Sequence, residues 1–443
     1  IYIYIDMSNK YKKYKEIDHI PYRIKNIKKI LDGKKLPSMI DFKSGAIDDD
    51  LKPHTHDKLM PCNDIRCILK KKNYDFKKVI HKIGGSLLYI KSGTTGHTFR
   101  GFDTSNERNG LNYAVKVVAY PRKENYGDYN DVRRPENAEQ LMLKLLSQFV
   151  ITGQSPHIVL PMITFSTAIT HFTDISKKRN FMENKKYIEF IKRYKNGDYY
   201  DTVSVLISEW AKDGDLLDYF RKNWEDIPLL EWKVVLFQLL SVLAVIQNKY
   251  PGFRHNDLKA NNVLKHNISS MQDRNNKFRY IINGQTYVVP NIYYQIKIWD
   301  FDFACIPNLI ENSKVNDKWT NKINVKPEKN RYYDVHYFFN TLIRKGFLPE
   351  LLTSEKVPKE VQDFINRVIP DKYKSGKYIH KRGRLLRSTE YTTPDKLLKT
   401  DPFFQSLRCG PEDLTESDDN SLPRKSATSK SKSKGHKLLK LSD

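Results

Sequence analysis

The sequence predicts an α+β fold: a smaller, strand-rich lobe with one helix over residues 81–208, then a larger, mainly helical lobe over 209–408. Three observations predict it. Strand-like alternation, as in Tyr113 to Val118 and Val203 to Ile207, falls in the first part of the chain. Apolar residues at helical spacing fill Leu216 to Trp224 and Leu230 to Tyr250 in the second. Just beyond them a polar loop, His255 to Asn262, runs into the apolar pair Val263 and Leu264, which would anchor it to a core.

Residues 1–80 mix Lys, Asp and Pro without a chemical motif and read as an extension packing on the small lobe. Next, Ile90-Lys91-Ser92-Gly93-Thr94-Thr95-Gly96-His97-Thr98 places two glycines just ahead of the Lys116 strand. Glycine is needed where a loop lays its backbone N–H groups on a ligand phosphate, although two glycines at this spacing also make an ordinary turn. Pro135 to Val150 fits a helix, with Pro135 at its start and Leu141, Leu145 and Leu146 on one face. Val203 to Ala211 reads as a core strand followed by a polar turn at Asp213-Gly214-Asp215. In the second long helix Trp232, Val235, Leu236, Leu239, Leu240 and Leu243 form a buried stripe that is core and implies no cofactor. Asn283-Gly284, with Tyr287-Val288-Val289 after it, marks a β-hairpin inserted at about 266–294, and Ile296 to Trp299 is a strand leading into Asp300-Phe301-Asp302.

Few reactions require a carboxylate (Asp257), an ammonium two residues on (Lys259) and a carboxamide five residues on (Asn262), and phosphoryl transfer from ATP is one. The loop resembles H-R-D-L-x-x-x-N, the catalytic loop of eukaryotic-type protein kinases. The resemblance implies that Asp257 takes the proton of the attacking hydroxyl, Lys259 neutralises the moving phosphoryl group and Asn262 binds Mg²⁺ (Mn²⁺ being an alternative). It extends over residues 80–408 and implies a bilobal kinase-like fold, its small lobe an antiparallel sheet and its larger lobe mainly helical, with ATP in the cleft. Tyr113-Ala114-Val115-Lys116 is similar to V-A-I-K, whose lysine reaches the nucleotide phosphates, and Asp300-Phe301-Asp302 to D-F-G, making Asp300 the second metal ligand. By the same likeness Glu139, with Glu136 as alternative, pairs with Lys116, and Ile90, Gly93, Gly96 and Thr98 cover the nucleotide. Glu209 and Ala211 would offer backbone groups to adenine, and Asp215 would meet the ribose. Asp334 in Tyr332-Tyr333-Asp334-Val335-His336 would brace the catalytic loop, and Thr393 to Phe404 resembles the last helix of the fold.

Three departures narrow the resemblance. Asn256 stands where many kinases have the Arg that receives an activating phosphate, which implies an enzyme not switched that way. The segment from Asn262 to Asp300 carries the inserted hairpin, and no A-P-E is found before Asp334, Lys326-Pro327-Glu328 lying too close to it. With the D-F-D triplet and the aromatic run around Asp334, the chain resembles the serine/threonine kinases of poxviruses and other large DNA viruses. That implies a late enzyme packaged in virions, acting on virion proteins, and located in the cytoplasm, its virus factories or the virion. Three other readings remain: a pseudokinase or scaffold (suggested by Lys91 and Asp302), a small-molecule kinase (against which Lys259 argues), and a basic nucleic-acid-binding protein.

The net charge of +25, from 77 basic and 52 acidic residues, is clustered at Lys25 to Lys35, Lys70 to Lys78, Lys177 to Lys195 and Arg424 to Lys440. Such runs are commonly solvated faces; the sharper expectation is salt-sensitive attraction to acidic protein substrates, nucleic acid or anionic membrane. The Ser-Lys alternation within 409–443 predicts a disordered tail. Four cysteines with no CxxC, and a Cys62/Cys67 spacing that suits zinc poorly, point to a reducing compartment. No uninterrupted apolar run reads as long enough to cross a bilayer, Ile1 to Ile5 is too short for a signal sequence, and Met7 is a candidate start.

Overall fold

The structure is a computed structural model that describes residues 20–40, 63–93, 95–103, 111–173, 184–268 and 277–409. The N-terminal residues of the signal and start-site readings, Cys62 and the basic tail from 410 onward lie outside them. The small lobe is a five-stranded antiparallel sheet in the order β1-β2-β3-β5-β4: β1 (Gly85–Ser92), β2 (Gly96–Asp103), β3 (Asn112–Pro121), β4 (Pro161–Ala168) and β5 (Tyr199–Glu209). Strand β3 shows why the alternation was informative. Val115, Val117 and Ala119 point into the core, and the two-residue period of a strand sends Lys116 to the opposite face.

Among the described residues three helices precede the sheet, α1 (Ile20–Leu31), α2 (Ile65–Leu69) and α3 (Phe76–Lys82), and α4 (Pro135–Ile151) packs behind it with Pro135 in its first turn. The N-terminal segment does more than lie on the lobe. The Tyr74 N–H donates to the Ser166 carbonyl at 2.9 Å and the Ser166 N–H to the Lys72 carbonyl at 2.9 Å, so this segment pairs with the edge strand β4. Beside it the Lys71 ammonium is buried and donates to Tyr120 Oη and Ser204 Oγ (each 2.8 Å), Gln140 Oε1 (3.1 Å) and Asn137 Oδ1 (3.4 Å), the last two on α4. Burial among neutral acceptors pulls its pKa down to about 7. Helix α5 (Lys185–Lys195), between β4 and β5, buries Tyr187 and Phe190 and exposes its lysines.

The large lobe is organised around α7 (Leu229–Lys249), which follows α6 (Leu216–Asn223); α8 (Tyr333–Leu342) packs on α9 (Lys359–Val368), and α9 and α10 (Pro394–Thr400) pack on α7. By length and a mean hydropathy of 2.0, α7 is apolar enough to cross a bilayer, although Glu231, Lys233, Gln238 and Ser241 interrupt its apolar run. Its apolarity has a structural cause: 78% of that stretch is buried, with helices and a hairpin packed around it. The hairpin is β7 (Lys277–Ile282) and β8 (Gln285–Pro290), lying between the paired strands β6 (Val263–Asn267) and β9 (Tyr294–Ile298). Ile282 faces Gln285 across a two-residue turn in which Asn283 (φ 49°) and Gly284 (φ 86°) are both left-handed, the conformation that Asn-Gly supplies. Cys67 is disulfide-bonded, which the reading of a reducing compartment does not anticipate, whereas Cys305 is a buried thiol.

Candidate active site

The cleft face of β3 presents Lys116, whose Nζ lies 2.6 Å from Glu139 Oε1 on α4 and 2.7 Å from Asp300 Oδ1 just beyond β9. The alternative, Glu136, is instead turned to the buried Arg134 at 3.1 Å. Burial alone would lower the Lys116 pKa; Asp300 and Glu139 together hold it raised, so the ammonium stays charged. Burial pushes the Glu139 carboxyl up, while at Asp300 the neighbouring Lys116 overcomes burial and holds the carboxyl down. Asp300 sits at φ 66°, a left-handed conformation that Asp tolerates better than most residues.

The catalytic-loop residues converge within a few ångströms. Asp257 Oδ2 receives Lys259 Nζ at 3.0 Å and Asn262 Nδ2 at 3.2 Å, and Asn262 Nδ2 also donates to the Asp257 carbonyl at 2.9 Å. Both N–H groups of this amide are thereby used, and its Oδ1 remains the acceptor oxygen. The loop is braced from below: buried Asp334 accepts the N–H groups of His255 (2.7 Å) and Asn256 (2.8 Å). His255 Nε2 bonds the Trp299 carbonyl at 3.0 Å, tying the loop to the residue before Asp300.

The structure gives the departures physical content. Asn256 has φ 63°, a left-handed position for which Asn is favoured, and donates through Nδ2 to the Phe303 carbonyl at 3.0 Å. A neutral hydrogen bond thus ties loop to following segment where an arginine would need a phosphate. Asp302, in the glycine position of D-F-G, pairs with Lys314 Nζ at 2.5 Å, and that ammonium stands 3.6 Å from the Phe303 ring. Lys91, in the first-glycine position, reaches over the Trp299 ring at 5.6 Å, with Lys116 at 5.5 Å from the same ring.

Gly93 and Gly96 flank the β1–β2 turn, and the Gly93 N–H donates to the Gly96 carbonyl at 2.8 Å. Gly96 has a packing requirement that sequence reasoning missed, because a Cβ there would lie 1.8 Å from the Val117 carbonyl oxygen of β3. Thr98 is paired with Lys116 across β2 and β3, and Ile90 is exposed at a register shift in β1. Asp215 is the N-cap of α6, accepting the Asp218 N–H at 3.0 Å. Ala211 is buried and Glu209 closes β5 with its N–H on the Leu160 carbonyl at 3.0 Å.

The Glu209 carboxylate was not expected to matter, yet three cationic or N–H groups meet on it. Arg23 of α1 places Nε 2.9 Å from Oε2 and also bonds Oε1; Lys297 Nζ stands 3.0 Å from Oε2, and the Leu160 N–H donates to Oε1 at 2.8 Å. Arg23 further caps the carbonyls of Pro156 (2.6 Å) and Ile158 (2.7 Å). Burial would raise the Glu209 carboxyl; Arg23 and Lys297 hold it far below its usual range. The second missed residue is Arg384, whose buried guanidinium donates to Asp257 Oδ1 at 2.5 Å, to Tyr333 Oη at 3.2 Å and to the Asn256 carbonyl.

A lysine clamped by two acids across a cleft, facing an Asp-Lys-Asn loop braced by a buried Asp, defines a protein kinase. The chain belongs to the poxvirus serine/threonine protein kinase family, whose description matches residues 134–393. It is 45% identical over 391 residues, 87% of this chain and 80% of the other, to a protein of Acanthamoeba polyphaga mimivirus bearing the name of a serine/threonine-protein kinase. A second mimivirus protein so named is 25% identical over 54% of this chain and 68% of its own length. Serine/threonine-protein kinase 2 of Swinepox virus (strain Kasza) is 25% identical over 50% of this chain and 44% of that one. This protein is therefore a serine/threonine protein kinase, with protein substrates and the nucleotide and divalent-metal use general to such enzymes.

Proposed function

We propose that the enzyme transfers the γ-phosphate of ATP through the residues gathered around Lys116 and Asp257. Lys116, oriented by Glu139, holds the nucleotide phosphates, while Gly93, Gly96, Ile90 and Thr98 cover them and Glu209, Ala211 and Asp215 line the base and ribose side. Asn262 and Asp300 hold Mg²⁺, or Mn²⁺, which supplies charge neutralisation when bound. The donor set fits: among the described residues no cluster of three His, Cys, Asp or Glu forms a self-sufficient metal cage, and one carboxylate with one carboxamide suits a hard cation completed by phosphate and water oxygens. The substrate hydroxyl oxygen attacks the γ-phosphorus, its bond to the β,γ-bridging oxygen breaks, and the proton passes to Asp257, with Lys259 beside it to neutralise charge.

The observation that carries this reading is the double contact of Lys116 with Glu139 and Asp300 at 2.6 and 2.7 Å. Viral relatives favour virion proteins as substrates and the infected cytoplasm, its virus factories or the virion as the setting; exposed basic segments favour partners with acidic surfaces. Radiolabelled ATP with mixed proteins, followed by phosphoamino-acid analysis, tests it. Wild type should yield phosphoserine and phosphothreonine, and Asp257→Asn should lose transfer by about three orders of magnitude while melting normally. Near-normal turnover in that variant would overturn the assignment of the base.

A further inference from the structure

The segment that carries Arg384 has a construction the phosphoryl-transfer reading does not use. His380, Lys381, Arg382 and Gly383 form a tight turn closed by the Gly383 N–H on the His380 carbonyl at 2.7 Å, and the His380 N–H returns to the Arg384 carbonyl at 2.8 Å. Ile379 and Leu385 bridge below it, so Lys381 and Arg382 occupy the tip of a short stem. Gly383, at φ 87°, permits the reversal, and Asn340 of α8 donates to its carbonyl at 2.9 Å. The stem is pinned to the base by Arg384, whose guanidinium lies 2.5 Å from Asp257 Oδ1 and 4.1 Å from the Tyr337 ring centre.

Two residues span at most about 7 Å of backbone, so the tip cannot stray far from the acceptor hydroxyl's position. Lys381 and Arg382 are exposed, and neither is paired with a carboxylate among the described residues. Nearby acids are already committed: Glu390 to Arg331, Glu328 to Lys326 and Asp371 to Lys374. The local field is positive; burial first, then Lys381, Arg382, Arg384 and Arg344, lower the His380 pKa.

We propose that this turn is the substrate-selecting element of the kinase: Lys381 and Arg382 recognise acidic residues flanking the serine or threonine presented to Asp257. Arg384 is the positioning residue that fixes the turn and the base in one frame. The proposal rests on the assignment of Asp257 as base, and adds the class of peptide that the base receives.

The test uses the full chain and three peptides with one central serine, flanked by Asp/Glu, by Ala or by Lys/Arg. Wild type should phosphorylate the acidic peptide with kcat/KM at least about tenfold above the neutral one, the advantage shrinking as salt rises. Lys381→Glu/Arg382→Glu should reverse that order chiefly through peptide KM, leaving the KM for ATP and turnover of the neutral peptide near wild type. Wild type that turns over all three peptides alike, or a reversed-charge variant that keeps the acidic preference, would overturn the proposal with the kinase assignment intact. Absence of turnover on every peptide, with mixed proteins also unlabelled, would instead sink the underlying reading and this one with it. Arg384→Ala provides a separate arm: methylguanidinium should restore its kcat, whereas a purely structural role predicts no rescue.

Discussion

Replacing Arg23 by Met removes the cation that ties the N-terminal helix to Glu209, at the end of the strand leading to the proposed adenine contacts. The size of the effect follows from what is left behind. Stripping one partner from a buried ion pair costs about 3–5 kcal/mol, and here Lys297, still 3.0 Å from Glu209, keeps the loss at the lower end. The carbonyls of Pro156 and Ile158 also lose their guanidinium donors, adding about 1 kcal/mol each where water cannot replace them. Met fills most of the apolar volume, so little cavity cost is added. A total of about 3–5 kcal/mol corresponds to a fall in Tm of about 5–10 °C for a large domain, measurable by scanning calorimetry. Because Glu209 is then held by Lys297 and the Leu160 N–H without the guanidinium, the KM for ATP should rise as well. In a double-variant cycle with Glu209→Gln, the pair should show a coupling of about 2 kcal/mol. If Arg23→Met melts within about 1 °C of wild type with an unchanged KM for ATP, the extension contributes nothing to the cleft and the reasoning fails.

Glu139→Gln should free Lys116 and lower kcat/KM for ATP by about two orders of magnitude, whereas Glu136→Gln should act on stability through buried Arg134; equal kinetic losses would contradict the pairing. For Lys71 the sign is set by a folded pKa of about 7 against 10.5 when exposed. Between those values the unfolded chain holds a proton that the folded chain has released, so stability rises with pH across the window and is lost as pH falls toward 7. Urea titrations should show this rise, on the order of a few kcal/mol, in wild type and not in Lys71→Met; parallel curves would count against a neutral buried amine.

What could be read from the chain divides by the range over which each interaction closes. Asp257, Lys259 and Asn262 bond to one another within five residues, so the spacing alone displayed the constellation. Glu139 is further from Lys116, and only a family spacing placed it ahead of Glu136. Arg23 and Glu209 are 186 residues apart, Arg384 and Asp257 127 apart, and nothing local marks either arginine as internal. Helix α7 was legible as core from its own apolar stripe, because burial follows from periodicity within one element. Blindness to long-range partners distorted the meaning of net charge. Arg23, Lys71, Arg134, Arg254, Lys297 and Arg384 all belong to the basic excess, yet each is buried. Arg254 stands 3.8 Å from the Tyr333 ring centre and donates to the Asn324 carbonyl at 2.6 Å, and Arg384 donates to the hydroxyl of the same tyrosine. A guanidinium with five donors can cap several carbonyls at once, so these cations fasten irregular backbone around the cleft where helices and strands supply no partners. Charge at the acceptor side should therefore be assigned by accessibility, which keeps exposed residues such as Lys381 and Arg382 and removes the buried cations from the sum.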